Sequence, residues 1–218
     1  MRKYVYLNGQ HFNNFLLTPL SMEFTERGNP VVKAVSPAEV PEEEIGWIPF
    51  NYVPAGKNTD KWVHFYIQDY LFDRVWNRPD KYVEMLKRHP GVVGPDFSMF
   101  RDTPYPIQMW SHYKRQWLEA YWQIHGINVI PNVMWSDEKS FEWCFDGVPA
   151  HSVISISANG CLKGRYARSL FFRGYIKAQE VLKPKLILIH CAKNYQQDIE
   201  AETSFPARYV HYEFRKRG

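Results

Sequence analysis

The sequence predicts an α/β protein: a mainly parallel sheet of about six strands with alternating helices, preceded by an irregular N-terminal arm. Three observations predict it. From residue 61 onward, short apolar runs alternate with helix-length segments. The runs are continuously apolar rather than alternating, as strands covered on both faces require. The helix-length segments carry their own start and stop signals. Successive right-handed βα units suit an incomplete βα barrel and an open doubly wound sheet equally, so strand order stays open at this point.

Residues 1–60 read as the arm, or a cap. TPLSMEF and SPAEVPEEEIGWIPFNYVPAGKN are rich in proline and turns and lack a helical period. KYVYL and PVVKAV suit short extended pieces, and Trp47, Ile48, Phe50 and Tyr52 would hold the arm against the body. A solvated tail has no use for those aromatics. Residues 61–218 read as the α/β domain. WVHFYI, rich in β-branched and aromatic residues, predicts a strand at 62–67, and the helical DYLFDRVWNRPDKYVEMLKRHP follows it. GVVGPDF predicts a strand at 92–97. PIQMWSHYKRQWLEAYWQIHG then predicts a long helix, with prolines at its start and Gly126 at its end. Trp110, Tyr113, Trp117, Tyr121 and Ile124 mark its buried face at three-four spacing. Further strands are expected at 127–134, 152–157, 185–190 and 208–214, separated by DEKSFEWCF, RYARSLFFRGYIKAQEVL and KNYQQDIEAE.

Composition narrows the function classes. A chain of 218 residues, 45% hydrophobic, can bury one sizeable core. The 17% aromatic content favours a rigid interior, with rings left over for stacking or interface work. A net charge of +4 and a pI near 8.8 suit an anionic partner but fall short of the dense basic face of a dedicated DNA binder. Cys144, Cys161 and Cys191 are widely spaced and form no Cys-x-x-Cys pair. That argues against a disulfide scaffold or zinc ribbon and for reduced thiols in a cytoplasm. MRKYVYLNGQHF lacks the apolar core of a signal peptide, and no run approaches the roughly 20 apolar residues of a membrane helix. The expectation is a soluble, cytoplasmic protein without a membrane partner.

Both candidate architectures bind ligands at the carboxyl ends of the strands. The residues at those exits are therefore the candidates. GVVGPDF delivers Asp96 and Ser98, with Arg101 and Asp102 one loop later. Asp96 and Asp102 are the candidate catalytic carboxylates, as general acid and base. Asp102 also suits a helix cap, as Asp137 does before Ser140, and Asp96 also suits a turn. INVIPNVMW offers Asn132 and Trp135, the latter for stacking on a ligand; HSVISIS leads to Ser157 and Asn159; PKLILIH ends in His190; RYVHYEF offers Glu213. In SANGCLKGRYARS, Gly160 and Gly164 would let backbone N–H groups approach an anion, which Lys163, Arg165 and Arg168 would hold as a phosphate site. The same segment also reads as a solvated basic helix start. Its glycine spacing fits neither a Walker A loop nor a dinucleotide fingerprint. No cofactor and no metal ligand set is assigned.

GVVGPDFSMFRDTP, INVIPNVMWSDEKSFEWCFDGVP and HSVISISANGC, together with the upstream WVHFYIQDYLFDRVWNRPDKY, resemble the bacterial and phage family known as "domain of unknown function 4417". The likeness covers roughly residues 60 to 190. It implies that Pro95-Asp96-Phe97-Ser98 and Phe145-Asp146-Gly147-Val148-Pro149 are family hallmarks, and that the company is that of phages, plasmids and integrated elements. Asp146-Gly147 also reads as a plain turn. Three functions remain open: a mobile-element protein binding nucleic acid, a nucleotide or another phosphate-bearing ligand; a hydrolase or transferase acting on a phosphate-containing small molecule through Asp96; and an interaction module that inhibits a host protein.

Overall fold

In the computed structural model, which describes residues 17–40, 46–203 and 205–211, each apolar run makes a strand. The strands are β1 (Trp47–Pro49), β2 (Trp62–His64), β3 (Val92–Val93), β4 (Val129–Ile130), β5 (Val153–Ser157), β6 (Leu186–Cys191) and β7 (Ala207–His211). The helices are α1 (Arg74–Asn77), α2 (Pro79–Leu86), α3 (Tyr105–Ile124), α4 (Arg165–Leu182) and α5 (Gln196–Glu202). DEKSFEWCF forms only a 3-10 turn, Glu138–Glu142, opened by Asp137, whose carboxylate accepts the Ser140 N–H. The strand beyond the expected six is β1, which lies in the stretch read as an arm and pairs with β2. KYVYL, the end of the last expected strand with Glu213, and the C-terminal basic residues lie outside the described residues.

All pairing within the two sheets is parallel, and every strand lies beside its neighbour in sequence: β1-β2-β3-β4 and β5-β6-β7. A parallel bridge between Asn132 and Ser155 joins the two sets. A doubly wound sheet reverses its order at a switch point. Among the described residues there is no reversal, so of the two architectures this is the singly wound, incomplete βα barrel.

The side chains show the curl. Along each strand successive residues face opposite sides. Val63, Phe65, Val92 and Val129 face one helix-covered core, and Ile154, Ile156, Ile187 and Ile189 face the other. Trp62, Tyr66, Val93, Ile130, Val153, Leu186 and Leu188 meet in a third cluster, enclosed by the strands themselves. Tyr66, just past β2, stacks on His190 of β6 at 4.3 Å, which a flat sheet would not allow across the intervening strands. The arm closes the other end of this interior. Val35 and Val40 pack into the third cluster; the Val35 N–H donates to the Ser152 hydroxyl and its carbonyl accepts the Val153 N–H.

Asp146-Gly147 ties the arm on. The Asp146 carboxylate accepts from Thr25 and Asn29, both at 2.7 Å, while its carbonyl accepts from His112 and Gln116 of α3. Gly147 has φ 82°, and a Cβ there would lie 2.5 Å from the Pro30 carbonyl. The turn read from the sequence is present, and it clamps the arm as well. α3 is broader in its buried face than its aromatic spacing suggests. Besides Trp117 and Tyr121 it buries Gln108, His112, Arg115, Gln116 and Glu119. This polar ridge supports the loop after β4.

Candidate functional site

The barrel interior changes character along its axis. Toward the amino ends it is apolar: Trp62, Val93, Ile130, Val153 and Leu186. Toward the carboxyl ends it is polar, with His64, Tyr66, Asn132, Ser155 and His190 all buried. Burial pushes the His64 imidazole down to about 4 and His190 to about 2, so both rings are neutral at pH 7. Burial first, and the nearby Asp96 charge second, hold Tyr66 well above the usual phenol range, so its O–H remains a donor. The Tyr66 hydroxyl donates to Asn132 Oδ1 at 3.2 Å and shares a short hydrogen bond with the Ser155 hydroxyl. Asn132 Nδ2 in turn donates to the Pro95 carbonyl (3.3 Å) and to Asp96 Oδ1 (3.1 Å). Its backbone N–H donates to Glu119 Oε1 at 2.8 Å. Glu119 is pushed up to about 8 by burial, against the pull of Arg115 and of that N–H. Gly94 admits this carboxyl: a Cβ there would lie 1.7 Å from Glu119 Oε1.

Above this layer, a half-open cleft of about 170 Å³ is lined by Asp96, Ser98, Met99, Phe100, Met134, Trp135, Ser157, Asn159 and Cys161, among others. Asp96 sits at its floor. Burial raises its pKa to about 6, opposed by the Asn132 hydrogen bond, helped by Asp69 and opposed again by the buried Arg115. Asp69 itself is held by Ser98, which donates from its backbone N–H (3.0 Å) and its hydroxyl (2.8 Å). Ser157 accepts the Asn159 N–H at 3.2 Å, shaping the loop at the end of β5. Trp135 presses its indole on α4, where a Cβ at Gly174 would lie 2.2 Å away. Phe100 is 65% exposed and gives the cleft a bare ring at its mouth.

Asp96, Ser98, Trp135, Ser157 and Asn159 thus come together, on the strand edge where the sequence places them. Asn132 and His190 lie beneath them. Asn132 is fully enclosed and bonds to Asp96, and His190 is packed on Tyr66 and His64. The remaining expectations require correction. Asp102 neither caps α3 nor shares the cleft: Pro104 holds the N-cap position, and Asp102 is exposed on a shallow hollow with Phe100 and Arg101. Gly160 and Gly164 adopt the positive φ expected of them (76° and 85°), but the basic residues after them do not line the cleft. Lys163 and Arg165 are exposed. Arg168 is captured by α5, pairing with Asp198 at 2.8 Å and Glu202 at 3.8 Å. Arg101 lies 4.8 Å over the Tyr166 ring, bridging the loop after β3 to the start of α4. Sequence reasoning missed Tyr66, Phe100 and Cys161. Tyr66 had a signal, because His64 and Tyr66 recur two residues apart after Trp62, on one face of a strand. Among the described residues no helix is long and apolar enough to cross a membrane.

The fold and its edge define a singly wound βα protein with a carboxyl-bearing cleft at the strand exits. Comparison with known proteins adds the family. The model of "Domain of unknown function (DUF4417)" matches residues 34–206, and the chain belongs to that family. The match begins inside the arm, earlier than the resemblance read from the motifs. Among curated proteins the chain is similar to the Gene 1 protein of Mycobacterium phage L5, 32% identical over 146 residues, covering 67% of this chain and 63% of that protein. It is also similar to the Gene 1 protein of Mycobacterium phage D29, 31% identical over 166 residues, covering 69% of this chain and 61% of that one. The chain therefore spans less than two thirds of the length of these relatives. No solved structure matches it.

Proposed function

We propose that the cleft binds a nucleotide unit of single-stranded nucleic acid, with the base inside and the phosphate against the cations at its rim. The observation that carries this reading is the composition of the cleft: a carboxyl at its floor, hydroxyl and amide groups beside it, and an exposed aromatic ring at its mouth. Its volume of about 170 Å³ is below the range of roughly 300–1,000 Å³ typical of drug-sized ligands, and favours a single planar ring. Among the described residues no cationic side chain lines it, so a phosphate belongs outside. Arg101, Lys163 and Arg165 are exposed on the segments that flank it. Bases stack on aromatic rings whatever their sequence, at about 1–3 kcal/mol each, and Phe100 is the exposed ring available.

The test is fluorescence anisotropy with labelled single-stranded and duplex 12-mers. Single strands should bind, more weakly as salt rises, and Phe100→Ala should weaken binding by roughly 5- to 150-fold. Binding of duplex alone, or binding indifferent to Phe100 and Asn159, would refute the reading.

One observation favours a second reading, an enzyme. A carboxyl with a pKa near 6 is poised for proton transfer at neutral pH, so Asp96 could serve a hydrolase or transferase acting on a phosphate-containing small molecule. Turnover lost in Asp96→Asn, without lost binding, would mark that case.

A further inference from the structure

Resting on the nucleic-acid reading, we propose that the cleft recognises an exocyclic amino group, so that it takes cytosine, adenine or guanine in preference to thymine or uracil. The Tyr66 phenol has one proton and donates it to Asn132 Oδ1. Ser155, on the other side of the phenol, must then donate to it. With Oδ1 committed as an acceptor, the Asn132 amide nitrogen faces the Pro95 carbonyl and Asp96 Oδ1. Both are acceptors, so the amide orientation is fixed twice over, and a flipped amide would set oxygen against oxygen at both. The chain Ser155–Tyr66–Asn132–Asp96 therefore runs in one direction and ends by donating to the carboxylate.

That direction determines what Asp96 offers. Oδ1 is bonded to Asn132 and the carboxyl lines the cleft, so Oδ2 is the oxygen assigned to a ligand. An ionised carboxylate only accepts, and the natural partner of an accepting Asp or Glu is an amino group such as N4 of cytosine. Thymine and uracil offer it only the ring N3–H, set between two carbonyl oxygens that the carboxylate repels, so they should bind less well. The Ser157 hydroxyl can adapt to either kind of edge; Asp96 cannot. Tyr66 and Asn132 act here as positioning residues, since both are buried beneath the cleft.

The geometry makes a sharper statement about Asp96→Asn. The new side chain should keep its oxygen toward the Asn132 N–H, which turns its own NH2 into the cleft. The floor then donates instead of accepting, and the preference should reverse toward thymine. Tyr66→Phe removes one of the hydrogen bonds that hold Asn132 beneath Asp96 and should blunt discrimination without reversing it.

The experiment measures binding of (dC)12, (dA)12 and (dT)12 at about pH 7.5, where Asp96 is ionised, to the full chain and to both variants. The expected result is (dC)12 and (dA)12 tighter than (dT)12 by roughly 5-fold or more in the native protein, the order reversed in Asp96→Asn and compressed in Tyr66→Phe. Competition by free cytidine and thymidine monophosphates should show the same order without a strand. Equal affinity for all three oligomers, a native preference for (dT)12, or an unchanged order in Asp96→Asn overturns this inference and leaves the nucleic-acid reading standing. Failure to bind any oligomer overturns both.

Discussion

Replacing Asp96 by Asn removes a carboxyl that the fold encloses, and the effect on stability should depend on pH. Burial lifts its pKa from 3.8 to about 6. At about 1.36 kcal/mol per unit, a shift of about two units corresponds to roughly 3 kcal/mol. The folded state holds the proton more tightly than the unfolded chain. Native stability therefore falls as pH climbs from about 4 to about 6, and the full penalty applies above that window. Asn has nearly the same shape, can still accept from Asn132 and carries no charge. Enclosing its amide costs about 1 kcal/mol or more, so the net gain should be about 1–3 kcal/mol. Urea unfolding followed by tryptophan fluorescence, at about pH 4 and about pH 7.5, measures it. The variant should match the native protein at the lower pH and exceed it at the higher. A gain that is the same at both, or a loss at the higher pH, would refute the reasoning, because the shifted carboxyl would not be the source.

Three further outcomes follow from the geometry. Lys163→Ala with Arg165→Ala should leave the melting temperature unchanged, since both side chains are exposed, and should flatten the log–log salt dependence of single-strand binding by about 0.7 per lost phosphate contact. Arg168→Ala should do the opposite. It gives up a partly exposed pairing with Asp198 and Glu202, so unfolding should show a loss of about 0–1 kcal/mol while affinity stays put. Gly94→Ala would drive a methyl group into Glu119, so calorimetry should show a loss of about 1–3 kcal/mol or more, together with a displaced Asn132 and an altered Asp96 titration by NMR.

How much of this was legible in the sequence differs by element. The strand cores and the limits of α4 follow from local pattern, because continuous apolar runs and glycine-bounded helical periods are local properties. The carboxyl-edge residues follow too, since a strand exit fixes where Asp96, Ser157 and Asn159 emerge. Long-range geometry was not readable. Arg168 looks like a phosphate ligand until Asp198, thirty residues on, takes it, a pairing with no local signature. Asp102 looks like a cap until Pro104 takes the N-cap position two residues later. Asn132 reads as a ligand-facing amide, yet the curl of the sheet seals it under Asp96. Tertiary packing decides Arg168 and Asn132; Asp102 is settled locally, by where the helix begins.

The central claim is that the cleft at the ends of β3, β4 and β5 is where a single strand binds, and the methionine methyl groups test it directly. The sequence has six methionines, of which Met99 and Met134 line the cleft. Met109 lies instead among the exposed apolar side chains Tyr105, Ile107 and Trp110 on the first turns of α3, the surface on which an inhibitor of a host protein would rely. The measurement is a titration of the methyl-labelled protein with (dC)12, followed by methyl NMR. The account predicts saturable shifts at Met99 and Met134, tracking the binding isotherm, with Met22 and Met85 unmoved. Shifts confined to Met109, or no shift at Met99 and Met134 while the oligomer binds, would contradict it.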